Sequence, residues 1–242
     1  MFSYFLYKKR CFNVANILLG NQKINFTMNN TVQTTSNIKG MNLLIIGDSM
    51  TVKKIWQQRL VDRYGILDTY NNYCGNGWSV QTVNEQIYRH KHPLDKTRDG
   101  VIIFLGTNDA HYIHNQELGS GVTIDGYLEG SYEDSTDLYA TSFHTSVKLL
   151  LETVLKDYVG KPIMWVGSPR RVNAFNTTDA INLKLKHFTE IIRSHCKDYG
   201  IKFIDLYNDY NCYTQLGDGI HPTVECYNNI GNIIGNEFNL MC

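Results

Sequence analysis

The chain has 242 residues, of which 43% are hydrophobic, so it is long enough to bury the core of one α/β domain. It carries 23 basic and 23 acidic residues, and the resulting formal net charge of zero gives no reason to expect nucleic acid or an anionic membrane surface as a partner. The longest apolar runs, such as residues 101–105, fall far short of the roughly 20 residues that a transmembrane helix needs.

The N-terminal segment differs in pattern from the rest of the chain. Residues 1–6 are apolar and aromatic, residues 8–10 are basic, and residues 11–20 form a short, interrupted apolar stretch. A secretory signal places its charges first and ends in a small-residue cleavage site, and this segment shows neither feature clearly. We therefore interpret residues 1–40 as an appended extension and residues 41–242 as the folded domain. A soluble protein is expected; a cytoplasmic and an extracellular or virion-associated location both stay open, as does the oligomeric state.

From Met41 onward, short apolar runs alternate with longer segments of helical periodicity, which is typical of a parallel sheet covered by helices. The apolar runs predict five strands, over residues 42–46, 67–73, 100–105, 162–167 and 201–205. The longer segments predict helices over residues 51–63, 80–89, 139–158, 181–199 and 223–238. Polar residues at the ends of these strands are expected to meet at one edge of the sheet.

Two polar blocks near opposite ends of this domain have the residue types of a serine hydrolase. Gly47, Asp48 and Ser49 directly follow the first predicted strand, and Asp218 precedes His221 by three residues. A serine hydroxyl is a poor nucleophile unless a base accepts its proton, and a neutral histidine held by a carboxylate is such a base. The pattern predicts Ser49 as nucleophile, His221 as base and Asp218 as the carboxylate that orients the ring. Taken singly, each block also has an ordinary explanation as a helix cap or a turn.

Two further blocks lie between these ends, at residues 72–79 (NYCGNGWS) and 106–109 (GTND). With four blocks in this order, the chain resembles the SGNH (GDSL-like) hydrolases from about Met41 to its C-terminus. It departs from the family pattern at Met50, where the family name has leucine, and at Cys226, where many relatives carry glycine. Neither position carries a group that takes part in the chemistry.

The resemblance implies an α/β three-layer sandwich with a five-stranded parallel, flavodoxin-like sheet. It also implies a serine esterase that uses no cofactor, with an oxyanion hole formed by the backbone N–H groups of Ser49 and Gly77 and by the side-chain amide of Asn108. Gly75 is the alternative to Gly77. Elementary chemistry agrees with these roles, because a glycine lets a backbone N–H approach an oxyanion closely and an amide donates a hydrogen bond.

A long irregular connection over residues 110–137 directly follows Asn108 and is rich in tyrosines and carboxylates. Connections of this length are commonly functional, so a lid or substrate wall and a solvated excursion both stay open. Trp78, Asp109 and Tyr112 are predicted to contact substrate, because aromatic rings and carboxylates suit sugar faces and hydroxyls.

The cysteines and histidines indicate neither a metal site nor a disulfide scaffold. Six cysteines are scattered without a CxxC pair, which favours reduced thiols. The histidine pairs at positions 90 and 92 and at 111 and 114 lack further ligands, so no metal is expected.

Relatives with this layout often deacylate carbohydrates, so the resemblance implies short-chain ester hydrolysis, with an acetylated small molecule or polysaccharide as substrate. Two alternatives stay open. One is a lipolytic esterase or lysophospholipase, and the other is a non-catalytic carbohydrate-binding module on a hydrolase scaffold.

Overall fold

A sheet of five parallel strands forms the centre of the protein in the computed structural model, which describes residues 36–88, 90–110, 143–172 and 178–242. The strands pair in the order β2-β1-β3-β4-β5, and every neighbouring pair is parallel. Their bounds are Asn42–Gly47 (β1), Asp68–Cys74 (β2), Gly100–Phe104 (β3), Ile163–Val166 (β4) and Lys202–Ile204 (β5). This is the flavodoxin-like order that the family resemblance implied.

Helices cover both faces of the sheet. Their bounds are Ser49–Val52 (α1), Ile55–Tyr64 (α2), Val80–Tyr88 (α3), Phe143–Asp157 (α4), Thr178–Asp198 (α5), Tyr210–Tyr213 (α6) and Val224–Asn239 (α7). Leu44 and Ile46 of β1 pack in one core cluster with α3, α4 and α5, whereas Leu43 and Ile45 pack in the opposite cluster with α2 and α7. Because alternate side chains of a strand point to opposite faces, a strand covered on both sides has the continuous apolar run seen in β1. The three-layer α/β architecture is thereby confirmed.

The first predicted helix is divided in two. α1 ends at Val52, and α2 begins at Ile55 after Lys54, which has a left-handed backbone with φ of 56°. The N–H of Lys54 and the side-chain amide of Gln57 both donate to the carbonyl of Thr51 at the end of α1. These contacts stabilise a turn between two short helices where the sequence pattern predicts one continuous helix.

The packed domain extends slightly upstream of Met41. Residues Ser36–Cys242 form one compact unit, in which Ile38 is fully buried in the cluster beneath α2 and α7. The backbone N–H of Asn37 donates to the side chain of Asn239 at 2.7 Å. A fragment intended to fold on its own should therefore begin no later than Ser36.

Residues 111–142, which include most of the irregular connection after Asn108 and the predicted contact residue Tyr112, lie outside the described part of the chain. Within the described ranges, no helix is both long enough and apolar enough to cross a membrane.

Candidate active site

The polar blocks predicted from the sequence meet at the carboxyl edge of the sheet. Asp48 and Ser49 follow β1, residues 75–78 follow β2, and residues 106–109 follow β3. The loop over residues 215–223 lies between α6 and α7 and returns to the same edge. Parallel strands bring their carboxyl ends together in this way, so residues far apart in sequence come to share one cleft.

Ser49, His221 and Asp218 form a continuous chain of hydrogen bonds. Ser49 Oγ lies 2.9 Å from His221 Nε2, and His221 Nδ1 lies 2.7 Å from Asp218 Oδ2. With the ring proton on Nδ1, the imidazole donates to the carboxylate and offers Nε2 as an acceptor for the serine proton. Such an arrangement can activate a serine hydroxyl for attack on a carbonyl carbon.

The loop that carries Asp218 and His221 is held by its own backbone. Asp218 Oδ1 accepts hydrogen bonds from the N–H groups of Ile220 and His221, at 2.9 and 2.6 Å. Desolvation raises the pKa of Asp218, but the hydrogen bonds from His221 and Ile220 outweigh it and lower the pKa to about 2. The carboxylate is therefore ionised at any pH near neutrality. The N–H of Gly217 donates to the carbonyl of His221 at 2.8 Å, which closes the turn.

The turn between β1 and α1 leaves the Ser49 hydroxyl available to the histidine. Asp48 is the N-cap of α1, and its Oδ1 accepts a hydrogen bond from the N–H of Met50 at 2.9 Å. Ser49 is the first residue of the helix and is half-buried. Because Asp48 caps the helix, the ordinary structural role considered for this block belongs to the aspartate and not to the serine.

Hydrogen-bond donors surround the space next to Ser49. The side-chain amide of Asn108 donates to the carbonyl of Trp78 at 3.0 Å, which fixes the orientation of the amide and leaves its second hydrogen for another acceptor. Gly77 has a positive φ of 76° and lines the cleft. At position 75 the Trp78 indole excludes any larger residue, because a Cβ on Gly75 would lie 2.2 Å from the ring. This placement favours Gly77 over Gly75 as a donor to the cleft.

The cleft has a volume of about 410 Å³, and most of the residues that line it have polar or charged side chains. Besides Ser49 and His221, it is lined by Lys53, Asn76, Gly77, Asn108, Arg171 and Ile220. Of these lining residues Ile220 is the single large apolar one, and Lys53 and Arg171 are cations. A small cleft with several hydrogen-bond donors on its walls suits a ligand rich in hydroxyl and carbonyl oxygens.

Arg171 was not identified from the sequence. It follows β4 at the same edge of the sheet, is only 3% exposed, and donates to the carbonyl of Thr107 at 2.9 Å. The available signal was its position shortly after a predicted strand, because the ends of parallel strands are where site residues gather.

The other predicted contact residues lie at the margin of the site. Asp109 is 2% exposed, and both of its carboxylate oxygens face the N–H of Val80, at 3.1 and 3.3 Å, at the start of α3. Trp78 is half-buried and packs on the core cluster of α3, α4 and α5. Neither residue is among those that line the cleft, so the structure gives Asp109 a helix-capping role and Trp78 a packing role.

Two carboxylates next to Ser49 and Asn108 in sequence, Asp48 and Asp109, are buried. Burial raises the pKa of Asp48 to about 7, with the Met50 hydrogen bond opposing the rise, Asp109 adding to it and Arg171 opposing it. Burial also raises the pKa of Asp109 to about 7 against the hydrogen bond from Val80. These two groups hold protons in the folded protein at a pH where an unfolded chain would have released them.

Replacing Asp48 with asparagine should therefore change how stability depends on pH. The pKa of Asp48 in the folded protein is raised from 3.8 to about 7. Its contribution to the free energy of unfolding is therefore fully present below pH ~4 and is lost as the pH rises towards ~7. In Asp48→Asn this contribution disappears, so the free energy of unfolding of the variant minus that of the wild type should rise with pH. The expected slope is up to about 1.4 kcal/mol per pH unit, measured by urea denaturation between about pH 5 and 7.

The control is the same exchange at Asp62, which is exposed on α2. Asparagine keeps the oxygen that caps Met50, so the helix cap is retained in Asp48→Asn. Wild-type and Asp48→Asn curves that stay parallel across this pH range would show that Asp48 is already ionised in the folded protein.

The described residues contain no group of three or more histidine, cysteine, aspartate or glutamate side chains that could hold a metal ion. The rings of His90 and His92 lie with their centroids 6.4 Å apart. His111 and His114 lie outside the described ranges.

Comparisons with known proteins agree on one family. The model of the GDSL-like lipase/acylhydrolase family matches residues 45–228. A search of curated proteins returned no match. Among solved structures, a protein from Lactobacillus plantarum is similar with a TM-score of 0.63 and 14% identity, covering 85% of this chain and 99% of that one.

Two further solved structures have named activities. A lipase/acylhydrolase from Enterococcus faecalis has a TM-score of 0.57 at 16% identity, covering 83% of this chain and 96% of that one. A catalytic mutant of Axe2, an acetylxylan esterase from Geobacillus stearothermophilus, has a TM-score of 0.59 at 17% identity, covering 84% and 96%. At these identities the structures establish the shared fold, and the family match spans most of the chain. The chain therefore belongs to the GDSL-like lipase/acylhydrolase family and is a carboxylic ester hydrolase.

Proposed function

We propose that the protein removes short acyl groups, above all acetyl, from carbohydrate hydroxyls through an acyl-Ser49 intermediate. The observation that carries the proposal is the hydrogen-bonded chain from Ser49 through His221 to Asp218, set in a small cleft lined mainly by residues with polar or charged side chains. The chemistry needs this chain's own side chains and a water molecule.

In the first half-reaction, His221 Nε2 takes the proton of Ser49 as the serine oxygen attacks the carbonyl carbon of the ester. The 2.9 Å separation between the two atoms is within the range for this transfer. Asp218 stabilises the positively charged ring, because its lowered pKa keeps it ionised. The bond from the carbonyl carbon to the alcohol oxygen then breaks, and His221 gives its proton to the departing alcohol.

The negative charge on the carbonyl oxygen is stabilised by three donors. These are the backbone N–H groups of Ser49 and Gly77 and the side-chain amide of Asn108. The bond from Asn108 to the Trp78 carbonyl holds the amide in place before substrate arrives. Fixed donors of this kind stabilise the transition state without having to reorganise during the reaction.

In the second half-reaction, water attacks the acyl carbon while His221 accepts one of its protons. The bond from that carbon to Ser49 Oγ breaks, His221 returns the proton to the serine, and the carboxylic acid leaves. The enzyme is restored with the same hydrogen-bonded chain.

The substrate assignment follows from the walls of the cleft. Lys53, Arg171, Asn76 and Asn108 present donors to ligand oxygens, and Ile220 is the single large apolar side chain among the lining residues. Sugar hydroxyls and an acetyl carbonyl match such walls, whereas a long acyl chain needs a continuous apolar surface. The structural likeness to an acetylxylan esterase is consistent with this substrate class.

A lipolytic esterase or lysophospholipase is the alternative substrate class within the same chemistry. A non-catalytic carbohydrate-binding module is the alternative outside catalysis. The intact hydrogen-bonded chain from Ser49 to Asp218 favours an enzyme over a binding module, because binding alone does not require an activated nucleophile.

The substrate class is tested with matched esters. We expect kcat/KM for p-nitrophenyl acetate to exceed that for the octanoyl ester, and acetate to be released faster from O-acetylated xylan than fatty acid from lysophospholipid. Ser49→Ala serves as the background in every assay. Faster cleavage of octanoyl esters or lipid would overturn the carbohydrate substrate class but would not contradict the acyl-Ser49 mechanism. Absence of turnover on all four substrates would favour the binding module.

A further inference from the structure

Two cysteines lie against each other at the base of the loop that carries Asp218 and His221. Cys212 is in α6, before the loop, and Cys226 is in the first turn of α7, after it. Both side chains are buried, and their sulfur atoms are 3.4 Å apart. Among the described cysteines this is the one pair whose sulfur atoms are in contact, and the sequence pattern does not indicate it.

The two thiols differ in their tendency to ionise. The hydrogen bond between the two thiols is the main cause that lowers the pKa of Cys226, with desolvation opposing it. The same contact, followed by desolvation, raises the pKa of Cys212. Cys226 also lies at the N-terminal end of the 16-residue helix α7, where partial positive charge favours a thiolate. Cys226 is therefore the member of the pair that forms a thiolate more readily.

We propose that Cys212 and Cys226 form a reversible disulfide that covalently links the two ends of the catalytic loop. This bond needs the sulfur atoms to approach from 3.4 Å to about 2.05 Å, the length of a disulfide. The proposal does not depend on the proposed function, since it concerns two thiols outside the Ser49 chemistry.

The oxidant is a peroxide, because hydrogen peroxide is small enough to reach buried sulfur. The Cys226 thiolate attacks one peroxide oxygen and breaks the O–O bond, which gives a sulfenic acid and hydroxide, and the hydroxide takes up a proton to form water. The Cys212 sulfur then attacks the Cys226 sulfur, loses its proton, and expels the sulfenic oxygen as a second water. In total, two thiols and one peroxide give one disulfide and two waters.

The disulfide is expected to form without changing the conformation of the loop. The hydrogen bond between Thr223 and Gln215 already closes the loop at 2.9 Å, and the Gly217–His221 bond lies inside that closure. Cross-linking positions 212 and 226 therefore removes freedom mainly from the unfolded chain. We expect the melting temperature of the peroxide-treated protein to rise by ~5–15 °C, and dithiothreitol to reverse the rise.

The bond can be located directly in the full chain. After mild peroxide treatment and alkylation of remaining thiols, cleavage before aspartates and after glutamates releases Cys212 in residues 209–217 and Cys226 in residues 226–237. Cys242 is released in residues 238–242, so it cannot be confused with Cys226. We expect peptides 209–217 and 226–237 to be joined, with a loss of about 2 Da that dithiothreitol restores.

Variants separate this pair from other thiols. Cys226→Ala and Cys212→Ala should each abolish the joined peptide and the rise in melting temperature. Cys196→Ala is the matched control, because Cys196 is equally buried but lies on α5, and it should behave as the wild type. Alkylation of both Cys212 and Cys226 after peroxide treatment would overturn the proposal, and so would conversion of Cys226 to sulfinic acid without a joined peptide. Both of these outcomes are measured on the wild-type protein, so they test the proposal even if a variant fails to fold.

Discussion

Ser49→Ala is expected to lower kcat for ester hydrolysis by ~10⁴–10⁶ while the fold is retained. The change removes the oxygen that forms the acyl intermediate, so what remains is attack by water assisted by the oxyanion donors. The fold should tolerate it because the hydroxyl contacts His221 and does not cap α1, a role that Asp48 fills. The measurements are kcat on p-nitrophenyl acetate, the melting temperature, and labelling by a fluorophosphonate probe mapped to its residue by mass spectrometry.

Ser36→Ala provides the control. It also removes a serine hydroxyl, one that lies 3.2 Å from the side chain of Asn239 and takes no part in the proposed chemistry. This variant should keep its turnover and its label at Ser49. A well-folded Ser49→Ala protein that still turns over ester at the wild-type rate, or a probe that labels a different residue, would refute Ser49 as the nucleophile.

The sheet could be predicted because local pattern and tertiary environment agree there. The residues of β1 between Leu43 and Ile46 are all apolar, and the structure buries them alternately on the two faces of the sheet. A strand covered on both sides must be apolar at every position, so composition alone is informative. The strand order, in contrast, came from the family resemblance, since periodicity does not encode which strands are neighbours.

The break between α1 and α2 could not be predicted, because it depends on contacts that the helical pattern does not describe. Lys54 adopts a left-handed backbone, which non-glycine residues seldom do, and the turn is held by the Gln57 side chain on the Thr51 carbonyl. Lys53 lies in this turn and lines the cleft.

In the site, residues that belong to a recognisable motif could be predicted, and residues whose role comes only from packing could not. Ser49 stands at a strand end, and Asp218 precedes His221 in a turn, so their proximity follows from the fold and the loop. The burial of Asp109 depends on the position of the N-terminus of α3, 29 residues away in sequence. The contact between Cys212 and Cys226 depends on how a short helix packs against α7, and sequence spacing alone gave no reason to expect it.

Asp218→Asn is expected to lower kcat by ~10⁴ with little change in the loop. Asparagine keeps an oxygen that can accept from the N–H groups of Ile220 and His221, as Asp218 Oδ1 does at 2.9 and 2.6 Å. Its amide nitrogen would then face His221 Nδ1 and donate to it, which holds the ring proton on Nε2. With its proton on Nε2, His221 cannot accept the proton of Ser49, and the imidazolium formed in the reaction loses its counter-charge.

The defect should persist across about pH 5–8, because the pKa of Asp218 is lowered to about 2 and its carboxylate is ionised throughout this range in the wild type. Asp209→Asn is the matched control. Asp209 caps the backbone of the same region, where its Oδ1 accepts from Asn211 and Cys212 at 2.9 and 3.3 Å, but it faces no histidine. We expect Asp209→Asn to keep its kcat and Asp218→Asn to lose it. Equal activity in the two folded variants would mean that His221 works without an orienting carboxylate.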